Sequence, residues 1–373
     1  MQYGIRRCCA ITGLSALLVL SCVVPSFGSG AAWMPTARFT TSTVTSIAVT
    51  PAGTSFVIAL TESDGTFRSS DQGDGWRLVQ PSVNGGGPFV VKAFDPRAPR
   101  TLYAVGTLGQ VDSLFKSTLA GRNWVRLPFF DIDPECSSSV GEACVVNMNA
   151  FAVDPQQPDT VYVGGFYIEN VLPPVGWFLF RSDDGGETWT DISGSRSLPE
   201  LAALAIDREH PTEFYGLTCS GLSKSFDAGA NWQKAGAGLP AVLCDSALAA
   251  QGKGDRPVLV IDPERPDFMY VGTRGSGVYL SYNRGRTFIP LNRGLEKASI
   301  DSLLIDPENS ANVFVGVSER GVFRWSQKDQ SWIALNSGLP LADFGGVVTL
   351  DPQHPSVLYA GTRTQGVFRL AHP

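Results

Sequence analysis

The stretch Ser182-Asp183-Asp184-Gly185-Gly186-Glu187-Thr188-Trp189 recurs in graded copies along this chain of 373 residues. Its pattern, Ser-x-Asp-x-Gly-x-Thr-Trp, is called the octapeptide below. Asp at the third place can accept bonds from backbone N–H groups ahead of it and close a tight turn. Gly at the fifth place adopts a positive φ without steric cost, and the aromatic residue packs a large apolar face at the start of the next strand. Clear copies begin at Ser69, Ser225 and Ser281, and eroded copies span 117–124 and 325–332.

Three short apolar runs accompany each octapeptide, for example Ile261-Asp262-Pro263, Met269-Tyr270-Val271-Gly272 and Gly277-Val278-Tyr279. The runs are rich in β-branched and aromatic residues and are bounded by Gly, Pro or Asp, which is the signature of strands and turns. Each unit therefore supplies four strands. Units begin near Ser46, Val91, Ala150, Leu201, Val258, Asp301 and Gly346. The sequence predicts an all-β chain, a single seven-bladed β-propeller of four-stranded antiparallel blades.

The last unit lacks an octapeptide and a fourth strand, because the chain ends soon after Val367-Phe368-Arg369-Leu370. A propeller left open would expose a sheet edge. The segment Ala32-Trp33-Met34-Pro35 resembles a fourth strand without a blade of its own. We expect this N-terminal strand to complete the last blade and close the ring.

Residues 1–28 have the features of a signal peptide: Arg6 and Arg7, then an apolar run, then Ser26-Phe27-Gly28. Residues 29–373 would then form the propeller, secreted or held in the periplasm or cell envelope. An alternative is a lipobox ending at Cys22, which would leave a lipid anchor there. Leu20 fits a lipobox poorly, so ordinary cleavage is favoured. No other run is long enough to span a membrane.

Removing Arg6 and Arg7 lowers the formal charge from −6 to −8. A mildly acidic domain without a Lys/Arg cluster does not suit nucleic acid or anionic membranes. The sequence therefore predicts neither as a partner, and it predicts a monomer.

Four cysteines follow residue 28, and an even number in an exported chain suggests disulfides. Cys136 and Cys144 share one insertion between the second and third blades. Cys219 ends a second strand, and Cys244 lies in the loop after the same blade. Since loops after second and fourth strands share one face of a propeller, we predict the pairs Cys136–Cys144 and Cys219–Cys244.

No His/Cys/Asp spacing suits zinc, no Gly-rich loop suits a phosphate and no Gly-x-Ser-x-Gly elbow occurs, so no cofactor or metal is predicted. The irregular segments all map to the face of the second-to-third-strand loops and the inter-blade loops. The acidic insertion there offers carboxylates that could act as acid and base on a sugar, with Asp131, Asp133 and Glu135 as candidate catalytic residues. The candidate ligand-binding residues on this face are Tyr167, Glu169, Trp177, Arg274, Arg320 and Arg363.

The unit built from Ile261-Asp262-Pro263, Tyr270-Val271-Gly272-Thr273, Gly366-Val367-Phe368-Arg369 and the octapeptide resembles the Asp-box (BNR) repeat proteins. That resemblance implies a propeller relationship to sialidases, xyloglucanases, sortilin-type receptors and photosystem II assembly factors. Sialidases have six blades and an early Arg-Ile-Pro-like motif, which this chain lacks. Xyloglucanases place two propellers across a cleft, and sortilin-type ectodomains carry more blades and a Cys-rich region. The assembly factors are single seven-bladed propellers that bind proteins.

The resulting prediction is an exported, non-catalytic binding propeller that takes a protein or glycan ligand on its loop-rich face. The alternative is a glycoside hydrolase, sialidase-like or xyloglucanase-like, that uses carboxylates of the 131–142 insertion.

Overall fold

The computed structural model describes residues 31–81, 90–108, 111–128, 145–168, 175–194, 201–244 and 256–371. Its strands, numbered in chain order, form seven blades. Blade 1 contains β2 (Val44–Val49), β3 (Val57–Thr61), β4 (Gly65–Ser69) and β5 (Arg77–Pro81). Blade 2 contains β6 (Val90–Phe94), β7 (Leu102–Leu108), β8 (Val111–Ser117) and β9 (Val125–Arg126). Blade 3 contains β10 (Val145–Val153), β11 (Val161–Ile168), β12 (Val175–Ser182) and β13 (Thr190–Asp191).

The remaining blades follow the same order. Blade 4 contains β14 (Ala203–Ile206), β15 (Phe214–Thr218), β16 (Gly221–Ser225) and β17 (Gln233–Ala235). Blade 5 contains β18 (Val258–Ile261), β19 (Met269–Gly272), β20 (Val278–Ser281) and β21 (Ile289–Pro290). Blade 6 contains β22 (Ser302–Ile305), β23 (Val313–Val317), β24 (Gly321–Ser326) and β25 (Ser331–Ala334). Blade 7 contains β26 (Phe344–Leu350), β27 (Val357–Thr362), β28 (Val367–Ala371) and, from the other end of the chain, β1 (Met34–Pro35).

The N-terminal strand closes the ring, as the sequence predicted. Met34 pairs with Arg369 and Pro35 with Phe368, so β1 is the outermost strand of blade 7. Trp33 is 3% exposed, its backbone N–H donates to the carbonyl of Ser337 at 2.7 Å, and its indole donates to the carbonyl of Leu335. The first described strand therefore anchors the last blade to blade 6.

The turn between the first two strands is fixed by an Asp in six of the seven blades, and that Asp is buried in five of them. In blade 4, Oδ1 of Asp207 accepts the backbone N–H groups of Glu209 at 2.8 Å and His210 at 3.0 Å. The same two bonds recur at Asp95, Asp154, Asp262, Asp306 and Asp351. This bonding explains why Asp recurs at the turn between the first two strands.

The octapeptide forms the turn between the third and fourth strands. The hydroxyl of Ser182 donates to Asp184 at 2.7 Å and accepts the backbone N–H of Gly186 at 2.8 Å. The carboxylate of Asp184 then accepts the backbone N–H of Thr188 at 2.9 Å and the Thr188 hydroxyl at 2.6 Å. Positive φ angles occur at the fourth place as well as the fifth, including at non-glycine residues: Gln72, Ala120, Ala228 and Arg284.

A second short repeat, which the sequence analysis did not identify, connects neighbouring blades. The dipeptide Gly-Leu follows the outermost strand of blades 4, 5 and 6, at Gly238, Gly294 and Gly338. A Cβ at Gly294 would lie 2.7 Å from the carbonyl oxygen of Trp332, the aromatic anchor of the next blade. The backbone N–H of Trp332 donates to the carbonyl of Arg293 at 2.9 Å. Glycine is needed because the neighbouring blade approaches so closely.

Blades 2 and 3 differ from the others because their strands are longer. β8 and β10 pair in parallel at Val111 and Val146, which joins the two blades into one sheet. Residues of both blades, including Tyr103, Leu114, Val163 and Phe178, share one buried apolar cluster. The longer strands make blades 2 and 3 extend further at the loop-rich face than the other blades. Among the described residues, no helix is long and apolar enough to cross a membrane.

Candidate functional site

The face that carries the second-to-third-strand loops has two different halves. On the side of blades 5, 6 and 7, the loops are tied to each other through their charged groups. On the side of blades 2 and 3, the long strands present aromatic, cationic and amide side chains. The candidate ligand-binding residues are therefore divided: the three arginines lie in blades 5, 6 and 7, and Trp177 lies in blade 3.

Two of the predicted ligand-binding arginines hold neighbouring loops together. Nη1 of Arg274 lies 2.6 Å from Oδ1 of Asp301 and also donates to the carbonyl of Ile300 at 2.8 Å. Nη1 of Arg363 donates to Glu319 at 2.9 Å, and its Nη2 donates to Ser318 at 3.0 Å. These bonds link blade 5 to blade 6 and blade 6 to blade 7.

Arg320, the third predicted arginine, is exposed and lies 5.9 Å from the ring centroid of Phe323 in its own blade. Its carbonyl accepts the side-chain amide of Asn336 at 2.9 Å. The structure therefore places the three arginines in the loops of blades 5, 6 and 7, where each contacts groups of the protein itself.

Trp177 lies on the other half of the face, where it is half-buried on β12. Its ring meets that of Phe166 edge-on at a centroid distance of 5.3 Å. The guanidinium carbon of Arg256 lies 5.7 Å from the centroid of the same Phe166 ring. Phe166 is fully buried and thus supports both groups from behind. A cation beside a half-exposed indole is a surface suited to binding.

Lys92 adds a second cation from the innermost strand of blade 2. It stands at the irregularity between Val91 and Ala93, where β6 shifts register against β7, and its side chain is half-buried. Burial lowers the pKa of Lys92, the charge of Asp112 raises it, and the charge of Arg256 lowers it further. Arg256 and Asp112 are thus close enough to influence the same ammonium group.

Asp112 is held between blades 2 and 3. Its Oδ1 accepts the hydroxyl of Thr107 at 2.8 Å, and its Oδ2 accepts the backbone N–H of Met148 at 2.9 Å. This carboxylate is therefore fixed next to β10. It offsets one of the two positive charges of Lys92 and Arg256.

Two asparagines of β10 complete the group. Asn147 is 7% exposed, and its Cα is directly opposite that of Phe166, so both side chains lie on one face of the sheet. Asn149 stands at the bulge between Met148 and Ala150 and is half-buried. The Nδ2 atoms of both amides are buried and have no hydrogen-bond partner. Such groups are uncommon in folded proteins and call for an explanation.

We call Lys92, Asp112, Asn147, Asn149, Phe166, Trp177 and Arg256 the basic–aromatic cluster. Of these residues the sequence singled out Trp177 alone. The other seven tryptophans occupy the aromatic anchor of a fourth strand or, at Trp325, the first place of an octapeptide. The others carry no local signal, since blades 2, 3 and 5 bring them together only in the folded ring.

The opposite face contains a group of possible metal ligands, Asp207, Glu209 and His210. The guanidinium of Arg284 already occupies it, with Nη1 3.0 Å from Asp207 and 2.8 Å from Nδ1 of His210, and Nη2 2.7 Å from Glu209. The arrangement is a salt-bridge network between blades 4 and 5.

Several predicted site residues lie outside the described residues: Asp131, Asp133, Glu135, Cys136, Cys144 and Glu169. Tyr167 lies on β11, but its side chain is not among those described. Cys219 and Cys244 are joined by a disulfide with a Cα–Cα distance of 4.9 Å, as predicted. This bond pins the loop of blade 4 to the segment that leads toward blade 5.

Comparisons with known proteins support the fold. No family model matches the chain. The xyloglucanase Xgh74A of Acetivibrio thermocellus is 31% identical over 166 residues, which cover 41% of this chain and 18% of that enzyme. The chain therefore spans less than a fifth of the curated relative it matches.

Two solved structures are similar in architecture. The GH74 enzyme of Niastella koreensis matches with a TM-score of 0.63 and 16% identity over 91% of this chain and 53% of that one. YCF48 bound to a D1 peptide matches with a TM-score of 0.57 and 12% identity over 92% of this chain and 96% of that one. These similarities show that the chain shares the β-propeller fold of both proteins.

Proposed function

We propose that the chain is an exported binding propeller, with residues 1–28 as its signal peptide and residues 29–373 as the propeller. Its ligand is a protein or a glycan bound on the loop-rich face, at the half formed by blades 2 and 3. The observation that carries this proposal is the basic–aromatic cluster, in which Trp177 and Arg256 flank the buried Phe166.

Two further observations support binding at this place. The longer strands of blades 2 and 3 form a raised wall beside the cluster. The solved structure of YCF48 with a peptide is that of a similar propeller of nearly the same extent. On the other half of the face, Arg274 and Arg363 already bond to protein groups, which makes them less suited to a ligand.

A binding screen tests the proposal. The purified protein is applied to an array of glycans and, separately, to envelope proteins in a pull-down. A ligand found in either assay is then tested against Trp177→Ala and Phe226→Ala. Phe226 is a matched control because it is 53% exposed in the octapeptide of blade 4, on the opposite face. Binding that Trp177→Ala weakens and Phe226→Ala leaves intact supports the proposal; equal loss in both variants, or no ligand in either assay, contradicts it.

A glycoside hydrolase is the second candidate, favoured by the 31% identity to a xyloglucanase over 166 residues. The candidate acid and base are then Asp131, Asp133 and Glu135 of the insertion. Turnover of xyloglucan or sialyl substrates that Asp131→Asn or Asp133→Asn abolishes would establish the enzyme. Binding without turnover would favour the first proposal.

A further inference from the structure

We propose that the basic–aromatic cluster is a subsite for a hexuronate, a sugar ring that carries a carboxylate. This inference rests on the proposed function and specifies its ligand as an acidic glycan. It is carried by three features of the cluster: its net charge, the half-buried ring of Trp177 and its unpartnered amides.

The charge of the cluster suits a single carboxylate. Lys92 and Arg256 are half-buried cations, and Asp112, which is bonded to Met148 of β10, is the single anion among the residues of the cluster. Two cations against one anion leave room for one further negative charge. A phosphate would bring up to two charges close to Asp112, and like charges at short range repel strongly in a partly buried site.

The aromatic ring suits a sugar rather than an extended acidic peptide. Trp177 is half-buried and meets Phe166 edge-on, and the guanidinium of Arg256 lies 5.7 Å from the centroid of the same Phe166 ring. A pyranose ring presents C–H groups on one face and, in a uronate, a carboxylate at its rim. Stacking on Trp177 would therefore bring the carboxylate toward the guanidinium of Arg256.

The amides of Asn147 and Asn149 provide the third feature. Both Nδ2 atoms are buried and lack a partner, and leaving such a donor unpaired costs free energy. Asn147 lies on the same face of blade 3 as Phe166 and Trp177, because all three occupy directly opposed positions of β10, β11 and β12. Hydroxyl or ring oxygens of a sugar would supply the missing acceptors.

The probe for the test is α-1,4-linked trigalacturonate, and its fully methyl-esterified form is the neutral control with the same rings. Isothermal titration calorimetry on the full chain should show binding of the acid at least tenfold tighter than binding of the ester. Arg256→Gln should remove that preference, whereas Arg286→Gln, an exposed arginine on the opposite face, should keep it. Should Arg256→Gln fail to fold, Lys92→Gln tests the same preference from the other blade.

The inference is overturned if acid and ester bind equally, if both folded charge variants retain the preference, or if a hexaglutamate peptide or inorganic phosphate binds more tightly than trigalacturonate. Trp177→Ala separates this failure from failure of the proposed function. If another ligand binds and depends on Trp177 while the acid shows no preference, the binding propeller stands and the hexuronate subsite falls.

Discussion

Arg284 and Asp207 connect blades 4 and 5 through an ion pair in which Nη1 lies 3.0 Å from Oδ2. The side chain of Asp207 is completely buried, whereas that of Arg284 is 24% exposed. Arg284 occupies the fourth place of an octapeptide with a φ of 56°, which directs its side chain to the turn of the preceding blade. The octapeptide therefore joins blades in addition to turning the chain.

Arg284→Ala should destabilise the protein by about 1–3 kcal/mol, because it leaves the buried carboxylate of Asp207 without its cation. Urea unfolding followed by tryptophan fluorescence measures the change. Arg286→Ala is the control, since Arg286 is an exposed arginine two residues along the same turn. Equal stability of the two variants would show that the ion pair is not needed to hold the blades.

Much of this architecture follows from local sequence rules. The turn residues of the octapeptide gave the blade count, and the position of Trp33 gave the closing strand. The Cys219–Cys244 pair followed from placing both residues on one face. The blade count depends on a short-range pattern that repeats, so one copy can be checked against another. The closing strand and the cysteine pair follow from the positions of their residues within that repeat.

The candidate site was mostly hidden from the sequence. Lys92 and Asn149 stand at register shifts in inner strands, and Arg256 comes from a different blade. Their grouping depends on the closed ring and on the extra length of two blades, neither of which a single repeat encodes. For the same reason, the sequence did not show that Arg274 and Arg363 form ion pairs with Asp301 and Glu319 of neighbouring loops.

Trp33→Ala should cost about 3–5 kcal/mol, because it removes a fully packed aromatic side chain and the anchor of the closing strand. Met34→Ala changes the neighbouring residue, which is 64% exposed, and should have little effect. Differential scanning calorimetry of the two variants compares them directly. Deleting residues 29–40 should have a larger effect than either, and a deletion variant that melts like the full chain would show that β1 does not close the ring.

Gly294→Ala should lower the stability of the protein more than the same substitution at another glycine with a positive φ. Gly294 has a φ of +92° and would place its Cβ 2.7 Å from the Trp332 carbonyl, whereas Gly275 has a φ of +111° and nothing within 4 Å. Gly275→Ala therefore carries only the left-handed backbone cost of about 1–2 kcal/mol. The extra loss in Gly294→Ala, read from chemical denaturation, measures the close approach between blades. Identical losses would remove this approach as the reason for glycine.

Asp184 should make the protein sensitive to acid. Hydrogen bonds from the Thr188 hydroxyl and backbone N–H hold the pKa of Asp184 well below its usual range, with further bonds from Ser182 and Glu187. A carboxyl with a lower pKa in the folded state contributes stability that is present above its unfolded pKa, about 4. That contribution is lost as the pH falls through the folded pKa.

Asp184→Asn should retain the fold because Asn283 already occupies the same place in blade 5, where its Nδ2 donates to Thr287 at 2.8 Å. The variant should lose less stability than the native chain between about pH 4 and pH 2. Asp71 and Asp227, whose pKa values are also lowered, keep their own contributions. Melting temperatures across this range provide the measurement. An acid response as steep as that of the native chain would exclude Asp184 as a contributor.

Reduction of the Cys219–Cys244 bond should lower stability by about 3.5 kcal/mol, the chain-entropy value for a loop of this length. The two residues are separated by 25 positions and are buried. Replacing both with alanine and comparing melting with and without dithiothreitol isolates this bond, because the double variant responds only through the remaining cysteines. Non-reducing peptide mapping completes the experiment, since we also expect Cys136 to be joined to Cys144. A peptide that links Cys136 to Cys219 would refute both pairs at once.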